Sequence, residues 1–493
     1  MKKSLPYKIV GIAIVVLWII VIAELARRTH FASKEMELTR AEEGMIAGGD
    51  SEQWMDILLK GRKAGYAVTK VVRLNGQREV TERIFLIVNL MGSTRKILST
   101  TKAQVDEGFH VTGFTFSLST ELIDFKVSGR VEGEELLITW AQEEGSGEVK
   151  RIRLPAKPMI NAGLTHYFRS RHLKVGQTFS FPLFDPVSMT TNPAIIKVVD
   201  REEITLNGRA YNAFRLEMSF LGKPLIFWLD EQGNSLKEEG FMGFTLVRTT
   251  PSKALAGLDR SARVDFYDLS AIPVDRELKN PRDASRLIVR FDQLPSFMPI
   301  DGPRQGAQGG VVTVIRERPP FEASYEIPYR GKDGGLIPYV RSEALIQSAD
   351  KEILSAAKGI VGDNTEPYQA AKMLMEWVYA SIEKTPLVSV PDAVQILRHR
   401  KGDCNEHATL LTALLRAVGI PARMAVGLVY KDGKFYYHAW NEAYLDRWIS
   451  MDATLNQMPA DATHIKLVDD GMENQIQLVG MIGNLSLTIL EYR

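Results

Sequence analysis

One cysteine in 493 residues excludes an intrachain disulfide and an all-cysteine zinc site. Charge imbalance is missing too. Lys and Arg number 61 against 60 Asp and Glu, a formal net charge of +1. Such a balance lacks the basic footprint of a nucleic-acid binder, so no nucleic-acid partner is expected. No EF-hand-like loop is present, and Asp469-Asp470 with Glu473 is too sparse a group to announce a metal. No metal and no cofactor are therefore expected. Long apolar runs are absent except for one at the very start. What the chain does have is ordinary globular composition, 45% apolar and 25% charged. Its length suggests about three domains.

The apolar run is Ile9 to Ala23, preceded by Lys2, Lys3 and Lys8 and closed by Glu24. As a helix it spans roughly 22 Å, short of the ~30 Å hydrocarbon core, but Leu5 to Leu25 reaches across if Lys8 and Glu24 lie at the interfaces. Two readings stand: an uncleaved anchor, or a signal peptide with Val21-Ile-Ala23 as the cleavage site. Trp18 and the Ile19-Ile20 pair favour the anchor. Arg27, Arg28 and Lys34 nearly balance the leader lysines, so orientation rests on the short leader and the large mass that follows. These place the N-terminus in the cytoplasm and the body outside it, with secretion after cleavage as the alternative. Residues 1–30 are read as this segment and 31–53 as a linker.

From 54 to 255 the signal is strand. Phe214, Leu216 and Met218 alternate with Arg215, Glu217 and Ser219, so one face is buried and the other wet. Leu74-Asn75-Gly76 and Leu206-Asn207-Gly208 carry hairpin-turn chemistry. Strand-and-turn units at this spacing predict a large antiparallel sheet, curved or closed into a partial barrel or sandwich. Trp54, Trp140 and Trp228, spread over strands, read as packing. Residues 256–335 read as a small β module with strands at 263–269, 286–291 and 311–315 and a Gly- and Gln-rich loop at 302–310.

Near Tyr339 the period changes. Helical spacing runs from Ser342 to Lys358, and a second helix starts at Thr365-Glu-Pro367 with Thr365 as a candidate cap. A short third helix covers 392–397. A fourth carries Cys404, Ala408, Leu411, Leu415 and Val418 in one stripe and stops at Gly419. Cys404 thus heads a helix. A helix terminus worth about 1 kcal/mol lowers a thiol pKa by less than one unit, so a nucleophile here needs a base. Two predicted strands around the Asp432-Gly433 turn supply His438. A return strand from Trp448 ends at Asp452, a carboxylate able to hold the imidazole tautomer. Asn405, Glu406 and His407 are read as shaping the helix start, and Trp440 as packing. The Cys404 backbone N–H is a natural oxyanion donor.

Gly402-Asp-Cys404-Asn-Glu-His-Ala, Gly419-Ile-Pro-Ala-Arg423, His438-Ala-Trp440 and Trp448-Ile-Ser-Met-Asp452-Ala-Thr together resemble the transglutaminase-like superfamily, which includes bacterial transglutaminase-like proteins. The four blocks span about a quarter of the chain. The resemblance implies a papain-like α+β fold over 336–493, closed by C-terminal strands at 475–479 and 485–490. It implies a triad of Cys404 as nucleophile, His438 as base and Asp452 as orienting acid. Ala453 departs from the proline that commonly follows the aspartate. Some animal relatives use calcium, for which this sequence offers no loop.

The expected whole is multi-domain: an N-terminal membrane helix, antiparallel β-rich domains and a C-terminal transglutaminase-like domain. The expected activity is acyl transfer at amide bonds, as peptide or amide hydrolysis or as transglutamination. The expected partners are the membrane and a protein, peptide or cell-wall peptide substrate. The alternative is a tethered binding or assembly protein that uses the domain as a scaffold.

Overall fold

The computed structural model describes residues 51–493 apart from 75–76, 91, 121–123, 141–148, 155, 170, 187–189, 221–222, 241–242, 259–264, 266–270, 293–300, 319–320, 322, 332, 387–391, 470–477 and 479–484. The expected anchor, nearly all of the linker, most of the strand at 263–269 and that at 475–479 lie outside the described residues. Among the described residues no helix is long and apolar enough to cross a membrane.

Fourteen strands form the first body: β1 (Ser51–Leu59), β2 (Arg62–Leu74), β3 (Gln77–Leu90), β4 (Ser93–Val105), β5 (Val111–Thr120), β6 (Asp124–Glu132), β7 (Glu135–Trp140), β8 (Val149–Arg153), β9 (Thr178–Asp185), β10 (Thr190–Leu206), β11 (Arg209–Phe220), β12 (Lys223–Leu229), β13 (Ser235–Glu239) and β14 (Phe244–Thr249). They make one sheet, ordered β8 to β1 and then β14 to β9. All of its ladders are antiparallel. Strand β1 is the seam between the two runs and begins at Ser51, inside the stretch expected as linker.

Strands distant in that order share one core. Val80 of β3, Phe116 of β5 and Ile138 of β7 belong to the same buried cluster as Phe181, Ile196 and Leu216 from β9 to β11. A flat sheet cannot bring these together, so the sheet is rolled on itself. Helix α1 (Asn161–Arg169) packs Leu164 and Phe168 into that cluster. The alternation at 214–218 holds: Leu216 and Met218 are buried and Phe214 partly so. At Asn207-Gly208 both residues have positive φ, as the sequence predicts for a two-residue hairpin turn. Trp54 and Trp228 are buried packing residues.

A short helix, α2 (Pro251–Leu255), follows the sheet and packs Ala254 into a cluster with Trp54, Tyr66 and Phe85. The second body contains β15 (Ile272–Pro273), β16 (Arg286–Phe291), β17 (Gln305–Gln308), β18 (Val311–Ile315), β19 (Glu383–Lys384), β20 (Lys401–Gly402), β21 (Ala422–Lys431), β22 (Lys434–Tyr444), β23 (Trp448–Met451), β24 (Ile465–Asp469) and β25 (Leu487–Tyr492). Its helices are α3 (Lys351–Val361), α4 (Pro367–Ser381), α5 (Ala393–His399) and α6 (Cys404–Ala417). One sheet runs β15-β22-β21-β24 with β23 on β22, and another runs β17-β18-β16-β25. Leu287, Val314, Leu374, Leu411, Val426 and Ile489 lie in one apolar cluster, so residues of the expected small β module share a core with the helices.

Three local expectations are corrected. The loop at 302–310 contains strand β17, whose Gln305 to Gln308 pair with β18, so backbone pairing overrides Gly content. The first helix starts at Lys351, not Ser342. Asp350 supplies the cap by accepting from the Glu352 N–H at 2.8 Å. The next helix is capped by Glu366 instead of Thr365, its carboxylate accepting from the Tyr368 and Gln369 N–H groups.

Helix α6 is the centre of this body. The expected single buried stripe is too narrow, because every residue from Glu406 to Arg416 is buried. Helices α3, α4 and α5 pack on it, with β22 against another face. Asn441 of β22 pins the two elements. Its amide donates to the Ala408 carbonyl at 2.9 Å and to Thr412 Oγ1 at 2.8 Å. Asn441→Ala removes two buried hydrogen bonds, a loss of about 2 kcal/mol. Hydrogen exchange read by mass spectrometry should then show α6 amides exchanging roughly 30-fold faster.

Candidate active site

The site begins with the start of α6. Asp403 is the N-cap, accepting from the Asn405 N–H at 2.9 Å, and Glu406 folds back to accept from the Asp403 N–H at 2.8 Å. This capping box satisfies first-turn donors and fixes where the helix begins. Gly402 permits it, since a Cβ there would lie 2.2 Å from Glu406 Cβ. Cys404 is therefore held as the first residue of a capped helix, as expected.

Strand β22 brings the histidine. The hairpin closes at Asp432-Gly433, both with positive φ, and pairs Gly427 with His438. Tyr437 Oη donates to Asn405 Oδ1 at 2.9 Å, tying β22 to the first turn of α6. The Ala439 N–H donates to the Cys404 sulfur, which sets the thiol beside the residue that follows His438. Trp440 stacks near-parallel on His438 at 6.2 Å between ring centroids and is 1% exposed. It packs, as the sequence reading has it.

Strand β23 pairs with β22 through Asn441 and Met451, which delivers Asp452 to the imidazole. His438 Nε2 lies 2.8 Å from Asp452 Oδ2. An N–H must sit between nitrogen and carboxylate, so the ring's lone pair is on Nδ1. Asp452 is 0% exposed. Its Oδ1 accepts from the Thr454 and Leu455 N–H groups at 2.7 and 3.1 Å. The structure thus brings all three sequence-predicted residues to one place.

A second histidine also reaches that carboxylate. His464 Nε2 lies 3.0 Å from Asp452 Oδ2, and its Nδ1 lies 3.3 Å from Asp461 Oδ1. Asp461 in turn accepts from Arg282 at 2.8 Å. Arg304 donates to the Asp461 carbonyl at 2.7 Å, and Arg316 to the Pro459 carbonyl at 3.1 Å. Sequence reasoning missed His464, Asp461 and these arginines. The only signal was the density of polar residues just past Asp452, in Asp461-Ala-Thr-His464. The arginines come from about 150 residues earlier, between 282 and 316, where no local pattern marks them.

Electrostatics separate the groups. Burial acts to raise Asp452, but His438 and His464 outweigh it and hold the carboxyl well below its usual range. Burial opposes protonation of His464, yet Asp461 and Asp452 raise it above the ordinary histidine value. Burial pushes the Cys404 thiol well up, joined by the charges of Asp403, Glu406 and Asp452 and opposed by the Ala439 N–H. Cys404 still keeps solvent-accessible surface. His407, which donates through Nδ1 to the Asp403 carbonyl at 2.6 Å, is lowered by its burial and supports the helix start.

Donor atoms of His438, Asp452 and His464 lie within 4.8 Å of one another, a spacing suited to a metal ion. The chemistry of the set does not fit one. His464 sits between two carboxylates and has an N–H directed at each, leaving it no lone pair to offer.

Residues 355–453 match the profile of the Transglutaminase-like superfamily. This stretch is a transglutaminase-like domain, and Cys404, His438 and Asp452 all lie within it, whereas Asp461 and His464 lie beyond. Among solved structures, the chain is similar to a proposed cysteine protease from Cytophaga hutchinsonii, at 19% identity, 42% of this chain, 83% of that one and TM-score 0.27. It is similar to a beta-barrel-like protein of a domain of unknown function from Brucella abortus, at 11% identity, 40% and 94% coverage and TM-score 0.31. A third is a proposed protease from Parabacteroides distasonis, at 10% identity, 77% and 70% coverage and TM-score 0.20. Comparison with curated proteins finds no match.

His464 yields a signed expectation. Its folded pKa lies above the unfolded value, so its contribution to stability is complete below about pH 6.5 and is lost as pH rises through the folded value. Stability of the native protein, followed by denaturant titration, should decline on going above that range. His464→Gln, which keeps an N–H for Asp452 but cannot titrate, should flatten the decline.

Proposed function

We propose that the chain is a thiol-dependent enzyme acting on amide carbonyls, with Cys404 as nucleophile, His438 as general base and Asp452 as the group that orients the imidazole. The observation that carries this reading is the seating of the Cys404 sulfur against the Ala439 N–H, one residue from an imidazole whose Nε2–H is committed to a buried carboxylate.

The electrostatics favour a resting neutral thiol over a stable thiolate. Burial and three nearby carboxylates oppose a negative charge at Cys404. Proton removal then belongs to the attack step. His438 Nδ1 takes the thiol proton as the sulfur bonds to the carbonyl carbon, and the carbonyl π pair moves to oxygen. The Cys404 N–H is the donor that stabilises this oxyanion. Collapse expels the amine, which leaves with the proton from the imidazolium, and a thioester remains on Cys404. Water or a second amine then releases the acyl group, giving hydrolysis or transamidation.

The substrate class in this reading is a protein, a peptide or a cell-wall peptide. The sequence grounds for residues 1–30 extend the proposal to a single-pass anchor with the body outside the cytoplasm.

Incubation with p-nitrophenyl acetate, an activated acyl donor, should add one acetyl group at Cys404, read by intact and peptide mass. Cys404→Ala should lose the adduct, and His438→Ala should form it about 100-fold more slowly. Acylation at an unchanged rate in His438→Ala would remove the base from the mechanism. Absence of any adduct at Cys404 would favour the scaffold alternative.

A further inference from the structure

One buried histidine stands beside the thiol chemistry and takes no part in its proton transfers. His464 is 0% exposed, and its ring centroid lies 5.6 Å from that of His438. It falls beyond residues 355–453, the span matched to the superfamily profile.

Local backbone chemistry brings it there. Asp452 and Gln457 exchange backbone hydrogen bonds at 2.8 and 3.0 Å, which turns the chain sharply after β23. The Asp461 N–H then donates to Gln457 Oε1 at 3.2 Å. Asp461 Oδ1 accepts from the Thr463 N–H at 2.8 Å and from Thr463 Oγ1 at 2.5 Å. His464 follows, immediately before β24 pairs with β21. Gly427 of β21, the residue opposite His438, permits that pairing. A Cβ there would lie 2.0 Å from the Ile465 carbonyl oxygen. A side chain at 427 would push β24, and His464 with it, away from Asp452.

Hydrogen-bond geometry sets the charge of the ring. Nε2 lies 3.0 Å from Asp452 Oδ2. Nδ1 meets two acceptors, the Asp461 carbonyl at 3.2 Å and Asp461 Oδ1 at 3.3 Å. A neutral imidazole has one N–H, so it would turn a lone pair on acceptors at one end or the other. The imidazolium satisfies both ends. Burial opposes that proton, and Asp461 and Asp452 outweigh it.

The charged and titratable groups around the two rings come from several elements. Asp452 stands between them, and Asp461, backed by Arg282, stands on the far side of His464. Cys404 lies on the α6 side of His438, with Asp403, Glu406 and His407 from the same helix end and Lys384 of β19 beyond His407. Among these described groups, His464 is the one that sets a positive charge on the carboxylate oxygen that His438 uses.

We propose that His464 is a cationic positioning residue for the thiol reaction: it holds Asp452 Oδ2 in place for His438 and, by its charge, keeps His438 free to accept the thiol proton on the acid side of the pH range. This rests on the thiol reading given above. The holding is hydrogen bonding. The second effect is repulsion, since a like charge at this range opposes a proton on the neighbouring ring. His464 touches no reacting atom and gives up no proton.

Two measurements on the full chain test it. The first is nitrogen NMR of protein labelled with ¹⁵N-histidine, with the His464 signals assigned by their loss in His464→Gln. Both His464 nitrogens should carry protons at neutral pH, and Asp461→Asn should convert the ring to its neutral form. A neutral His464 in the wild-type protein overturns the proposal whether or not Cys404 reacts. The second is the pH profile of Cys404 acetylation by p-nitrophenyl acetate, read by mass. His464→Gln should move the acid limb up by about one pH unit, so that the variant trails wild type by about tenfold at the acid end and by less at the alkaline end. If that variant loses wild-type circular dichroism, Asp461→Asn takes its place, with a shift in the same direction. An unmoved limb, or a loss by the same factor at every pH as a purely structural role would give, overturns the proposal and leaves the thiol reading intact. Absence of any wild-type adduct removes the thiol reading, and the positioning role with it.

Discussion

The second body depends on keeping one carboxylate ionised in a place from which water is excluded. Asp452 is fully buried, and an unpaired charge there would cost several kcal/mol. Four donors meet it: His438 and His464 on one oxygen, the Thr454 and Leu455 N–H groups on the other. His464 acquires a charge by this arrangement and needs its own partner, which is Asp461. Asp461 needs Arg282 in turn. The line of alternating charge runs outward until it ends at Arg282, which is partly exposed and can be hydrated.

The same network bears on the chemistry. In the proposed mechanism, proton transfer from the thiol creates an imidazolium beside Asp452. With His464 on the same oxygen as His438 and the Thr454 and Leu455 N–H groups on the other, the carboxylate is held in place and keeps the His438 ring oriented. His464 also withdraws negative potential from Asp452, so it limits how strongly the carboxylate draws a proton onto His438. Its role is positioning, through Asp452, without contact to the reacting atoms. The cost of a neutral thiol is accepted elsewhere: the capping carboxylates Asp403 and Glu406 fix the helix start and at the same time push the Cys404 thiol up.

Legibility followed the range of the interactions. Cys404, His438 and Asp452 stood out because each is placed by local rules: a cap and helix start, a two-residue hairpin with positive φ at Asp432-Gly433, and a return strand. The rolled antiparallel sheet was legible from alternation and turns for the same reason. The Arg282, Arg304 and Arg316 contacts were not, because an arginine that reaches a carbonyl 150 residues away leaves no periodic trace. Strand β17 was hidden by Gly306 and Gln308, whose strand state is imposed by pairing with β18. The helix expected at Ser342 begins at Lys351, since the spacing continued upstream of Asp350, whose carboxylate supplies the cap. All-round burial of α6 was likewise unreadable, because its polar residues Thr409, Thr412 and Arg416 meet Met424, Asn441 and the Ala422 carbonyl only in the folded body.

The two acidic interiors of this chain solve one problem in opposite ways. Around Asp452 the protein supplies donors and the carboxyl is held ionised. Around Glu82 and Glu238 it supplies apolar wall and the Ser235 hydroxyl, and burial, joined by the charge of Glu238, lifts Glu82 to about 7.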